Sequence, residues 1–169
     1  MNLSVRRLGP ADLDAYRAIR LEALLAAPMA FGSDHGREVA LSDADWRHRL
    51  EHDHVFGAFA AGRLVGTSTF FADVAEKMRH RGHLVAVYVR DDARGMGVGR
   101  ALVDAVIAVA RSQVLQLYLS VTVGNDAALR LYEAAGFEIY GTDPRALRID
   151  GQFYDEHLMV LRLDEGSGK

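Results

Sequence analysis

The stretch VRDDARGMGVGRAL, residues 89–102, places three glycines within five residues, between an apolar run and a long amphipathic segment. HLVAVYV, residues 83–89, is nearly unbroken in apolar character, as expected of a central strand covered on both faces. After the glycines, Val98, Leu102, Ala105, Val106 and Val109 recur along one side of a helix. Strand, glycine turn and helix in that order lead to an α/β crossover. Gly95, Gly97 and Gly99 remove side chains where a backbone must curl tightly or admit a ligand, and free N–H groups at the helix start attract an anion. A flexible surface turn would also explain glycines alone, so the flanking segments must decide.

The other segments fit the same class. NLSVRRL alternates Leu3 and Val5 with polar neighbours, the period of a half-buried strand. Pro10 and Asp12 mark a helix start, and Leu13, Tyr16, Ile19, Ala23 and Leu24 keep helical spacing until Pro28 stops it. AFGSDHGREVAL reads as irregular. Ser42 opens a short helix ending near His52, with Asp45 as a capping-box partner and Trp46 and Leu50 on one face. HVFGAFAAGRLVGTSTFFADV reads as a hairpin turning at Ala61 and Gly62, and LQLYLSVTV as a buried strand. Asn125 caps a helix through Leu129 and Tyr132, and Gly136 stands where a left-handed terminator belongs. FEIYG and FYDEHLMVLRL close the chain as strands, and residues 164–169, DEGSGK, read as a loose tail. The expected architecture is one α/β domain over residues 1–169, a mixed central sheet flanked by helices.

Composition narrows the functional classes. No stretch approaches the roughly 20 apolar residues of a membrane span, and the opening MNLSVRRLGPADL lacks the apolar run of a signal peptide, so a cytoplasmic protein without a membrane partner is expected. The absence of cysteine excludes disulfides and thiolate metal sites. Twenty basic and 23 acidic residues, a net charge of −3 and no basic stripe argue against nucleic acid as a partner.

The loop fails two nucleotide signatures. Arg100 stands where a dinucleotide fingerprint needs its third glycine, and no Asp or Glu lies between Asp104 and Asp126 to hold a ribose. A Walker loop needs a lysine that is missing. What matches is Arg94-x-x-Gly97-x-Gly99 after a strand and before a helix, followed by NDAALRLYEAAGF at residues 125–137. Together these segments resemble the GNAT family of acetyl-CoA-dependent N-acetyltransferases. The resemblance implies the GNAT fold, acetyl-CoA as co-substrate and no metal. It also implies that Val87 and Val89 contact the pantetheine arm, that Arg94, Gly95, Met96, Gly97, Val98, Gly99 and Arg100 cradle the pyrophosphate, and that Asn125 belongs to a second CoA-contacting segment. Tyr132 lies two helical turns after Asn125, on the same side, and by resemblance protonates the departing thiolate; standing alone it would read as a core-filling aromatic.

Direct acyl transfer needs a neutral amine, so a group must accept a proton. Many members of the family place a glutamate about eleven residues before the loop's Arg or Gln, and His83 occupies that place here. Imidazole titrates near neutrality and could serve directly or through water, or the ring could merely begin a strand. Glu38, Asp155 and Glu156 are further candidates, as bases, as contacts for a cationic acceptor, or as solvated surface. His48, Glu51 and His52 in HRLEH match H-x-x-E-H, a zinc-hydrolase signature, but without an obvious third ligand. A non-catalytic acyl-CoA sensor is the other competing class, and Tyr132 argues against it. The expected activity is acetyl transfer from acetyl-CoA to a primary amine of a small molecule or peptide, by direct attack in a ternary complex. Polyamine, amino-acid-like metabolite, aminoglycoside-like drug and protein N-terminus all stay open as acceptors. The resemblance is compatible with a homodimer, to which no particular residue points.

Overall fold

Each expected periodic segment folds as an element in the computed structural model, which describes residues 2–165. Strand β1 (Leu3–Arg7) leads into α1 (Leu13–Ala26), α2 (His35–Val39) and α3 (Asp43–His52). The hairpin β2 (His54–Ala60) and β3 (Arg63–Ala72) precedes β4 (Arg81–Val89), α4 (Val98–Ala110) and β5 (Gln116–Thr122). Then come α5 (Asp126–Ala134), β6 (Glu138–Ile149) and β7 (Gln152–Arg162). Of the expected tail, residues 166–169 lie outside the described residues.

The seven strands form one sheet in the order β1-β2-β3-β4-β5-β7-β6. Only β4 and β5 run parallel, joined by α4; the remaining neighbours are antiparallel. Adjacent residues of β2 face opposite sides, which separates two cores. Val55 packs with Ile19 of α1 and Trp46 and Leu50 of α3, whereas Phe56 packs with Leu102, Val103 and Val106 of α4. The helices thus cover both faces of the sheet, and each fully buried Leu or Val contributes about 1.5–3 kcal/mol.

Three expectations need correction. Residues 35–39 are helical, because the Asp34 side chain accepts the Arg37 N–H at 2.8 Å and so caps one short turn. Strand β6 continues to Ile149, well past FEIYG, and forms an edge of the sheet. Most consequential, β4 is not covered throughout: its pairing with β5 is limited to Arg81↔Gln116, Gly82↔Leu117 and His83↔Tyr118. Beyond His83 the two strands part, and Val85 is 38% exposed. A register shift against β3 between Thr67 and Thr69 and a left-handed Ala86, φ 55°, kink β4 where the gap opens.

Candidate active site

The glycine loop leads into the gap between β4 and β5. Gly95 and Gly97 take φ of 75° and 79°, and a Cβ on either would meet nothing within 4 Å, so their bare backbone borders open space. Gly99 serves differently: a Cβ there would lie 3.2 Å from Leu131, which lets α4 approach α5 closely. No side chain caps α4 at Gly97, leaving the first-turn N–H groups to a ligand or water.

A cavity of about 920 Å³ fills this gap. Val87, Val89, Arg94 and Val98 line it from the β4 side, as do Gly95, Gly97, Gly99 and Arg100 of the loop. From the far side come Asn125, Leu131 and Tyr132, and residues 28–30 close a third wall. Met96 is the exception among the expected residues: it turns outward, 43% exposed, and does not line the cavity. The Arg94 guanidinium pairs with Asp91 at 2.9 Å and donates to the Val89 carbonyl at 3.2 Å. That of Arg100 pairs with Asp104 at 2.9 Å and donates to the Ala134 carbonyl at 3.0 Å, bridging α4 to the end of α5.

Asn125 caps α5 as expected, its Oδ1 accepting the Ala128 N–H. Two turns on, Tyr132 is buried with its ring edge-on to Phe137 at 6.1 Å. Burial pushes its phenol well above the ordinary range, so the hydroxyl keeps its proton across any working pH.

A second cavity of about 540 Å³ continues along β4, lined by Arg81, His83, Val85 and Ala86 and, across the gap, by Tyr118 and Glu156. Ala86 lines this cavity and its neighbour Val87 the first, and Ala30 lines both, so the two cavities are adjacent near the kink. His83 Nε2 is 3.0 Å from Asp73 Oδ1, and its ring stacks on Phe71 at 4.8 Å. No local pattern in the sequence marks Asp73. The β3–β4 register, with Ala72 opposite Gly82, brings it beside a histidine ten residues away. Glu156 is partly buried on β7. Burial pushes its carboxyl above the usual range and nearby Asp143 adds to this, while a Ser120 hydrogen bond works against it.

The remaining candidates lie elsewhere. Glu38 is buried outside both cavities, where Arg20 binds it through Nε and Nη2 at 2.9 and 3.1 Å and Arg49 at 3.2 Å. Desolvation pushes its carboxyl up, but the two arginines outweigh it and hold the group below its ordinary value. Asp155 accepts the Arg145 N–H at 2.8 Å and lines neither cavity. The HRLEH residues do not form a metal site: His52 Nδ1 donates to the His48 carbonyl and the two rings stack at 3.9 Å. Among the described residues no three potential ligands cluster.

The fold is that of a known acetyltransferase. An acetyltransferase of the GNAT family from Streptococcus pneumoniae superposes with a TM-score of 0.84 at 25% identity, covering 96% of this chain and 99% of that one. Residues 18–137 match the acetyltransferase (GNAT) family. An L-methionine sulfoximine/L-methionine sulfone acetyltransferase from Pseudomonas aeruginosa is 33% identical over 97% of this chain and 96% of its own. An N-alpha-acetyltransferase RimI from Mycobacterium tuberculosis is 34% identical over 82% and 81%. The chain belongs to the GNAT acetyltransferase family, and its enzyme class is acetyl-CoA-dependent N-acetyltransferase. Among the described residues no helix is long and apolar enough to cross a membrane.

Proposed function

We propose that the chain transfers the acetyl group of acetyl-CoA to a primary amine of a small molecule or peptide by direct attack. The first cavity takes CoA, its pyrophosphate against the backbone of residues 94–100 and its pantetheine along Val87 and Val89. The second takes the amine. The observation that carries this reading is the adjacency of the two cavities, which share Ala30 and are lined by the neighbouring residues Ala86 and Val87; it supports a thioester in one facing a nitrogen in the other. The relatives' names, covering amino-acid analogues and N-alpha amines, support an amine acceptor.

In the reaction the amine nitrogen attacks the thioester carbonyl, a C–N bond forms and the C–S bond breaks. His83, oriented by Asp73, takes the proton from nitrogen, and the Tyr132 hydroxyl gives one to the thiolate. Glu156 is the second reading for the base, favoured by its raised carboxyl in the same cavity. The strands from both ends of the chain share one sheet, which supports a single domain. The cysteine-free sequence fits a cytoplasmic setting.

Initial-rate kinetics test the ternary complex. Direct attack gives double-reciprocal lines that intersect when acetyl-CoA and amine are varied together; parallel lines, the mark of an acyl-enzyme, would overturn it.

A further inference from the structure

One short segment walls both cavities. Beyond the end of α1, residues 27–30 line the first cavity and residues 30–33 the second, so Ala30 is the wall that they share. The segment's own hydrogen bonds are local, the Ala27 N–H donating to the Ala23 carbonyl at 2.9 Å and the Ala30 N–H to the Ala27 carbonyl at 3.0 Å. Its tertiary anchors flank Ala30. Phe31 is buried beneath the Arg20 guanidinium, which lies 4.8 Å from its ring centre. On the other side of Ala30, the Thr122 hydroxyl donates to the Met29 carbonyl at 2.5 Å, and among the described residues no other hydrogen bond ties this segment to the sheet.

The Thr122 end of that bond is fixed. Thr122 closes β5, pairs with Glu156 of β7, and through its carbonyl accepts the Asn125 N–H at the start of α5 at 3.0 Å. Its side chain is buried and β-branched, with few χ1 choices, so the hydroxyl points in a set direction. The Met29 end has no ladder to hold it, and a segment with few bonds of its own opens at low cost. Resting on the acetyltransferase reading above, we propose that Thr122 is a positioning residue: through Met29 it holds Ala30 in place between acetyl-CoA and the amine, so both cavities are formed before either ligand binds. A wall fixed in advance spares the ligand the ordering of the segment, which raises affinity without any new contact.

The test uses CoA as the probe, with Thr122→Val, which keeps the branched shape but loses the hydroxyl, and Thr122→Ser, which keeps the hydroxyl. In the wild-type protein without CoA, the backbone amide order parameters of Met29 and Ala30 should match the ~0.85 of rigid backbone, and in Thr122→Val they should fall below ~0.6 while those of α4 and β7 stay unchanged. Calorimetric CoA affinity should drop about three- to tenfold in Thr122→Val, as the fraction of molecules with the wall in place falls by the scale of one hydrogen bond. Thr122→Ser should restore most of both. Unchanged order parameters in Thr122→Val would overturn the assignment whatever the affinity, because any loss of CoA binding would then come from direct contact with Thr122. A loss of order shared with α4 and β7, or a serine variant no better than valine, would overturn it too. If Thr122→Val does not fold, the wild type decides: Met29 and Ala30 already below ~0.6 without CoA would overturn the anchor. Failure of the wild type to bind CoA would overturn the acetyltransferase reading, while the order parameters still judge the Thr122 anchor.

Discussion

Tyr132 stands where core packing meets the first cavity, the position from which its proposed role as general acid can be tested. Its ring sits against Phe137 while burial keeps its hydroxyl protonated at the edge of the first cavity. Tyr132→Phe keeps the ring and should leave the melting temperature unchanged while kcat falls about a hundredfold, the usual scale for losing a general acid. An unchanged kcat would reduce Tyr132 to a filler of the core. The base is separable by pH. If His83 takes the proton, His83→Ala depresses kcat/KM most near neutrality and recovers in part at high pH, as the amine deprotonates unaided. If Glu156 does, its raised carboxyl ionises only above the ordinary value of 4.5, so the acid limb of kcat/KM lies above that value and disappears in Glu156→Gln. Whichever variant changes the profile identifies the base.

Among the elements, the glycine loop and α4 were the most legible in sequence. Two of the three glycines take left-handed φ, and the third admits Leu131 of α5, so the spacing encodes both the turn and the packing of the helix behind it. Gly97→Val puts a branched side chain into a left-handed conformation, costing about 1–3 kcal/mol of stability, and crowds the exposed amides at the start of α4. CoA affinity by calorimetry should fall at least about tenfold, since several hydrogen bonds to the phosphates weaken together. Affinity equal to wild type would move the pyrophosphate site elsewhere. The five-residue α2 was illegible for the opposite reason: a single turn has no period to detect, and only the Asp34 cap announces it.

At the scale of the whole molecule, Glu38 links three helices, since Arg20 comes from α1 and Arg49 from α3. Replacing a buried charge that two partners depend on typically costs about 3–5 kcal/mol, so Glu38→Gln should unfold at clearly lower denaturant. The pH dependence follows from the sign of the shift. The folded carboxyl titrates below its ordinary value of 4.5, so its contribution is complete above that pH and disappears as pH falls through the folded value. Chemical denaturation from pH 7 to pH 3 should show wild type losing this increment while Glu38→Gln, already without it, declines less. Equal declines would mean that the ion pairs add nothing.

The sequence by itself determined what local interactions control. Helical period, the Ser42 and Asn125 caps, the Ala61–Gly62 turn and the left-handed glycines act within about ten residues, and they were enough for the element order and the glycine loop. Tertiary structure alone decided the parting of β4 from β5 after His83, the outward turn of Met96, the Asp73 partner of His83 and the withdrawal of Glu38 from the site. The physical reason is separation along the chain. Residues 20, 83 and 156 share one cavity only because α1, β4 and β7 pack around the same gap, and no local propensity encodes that meeting.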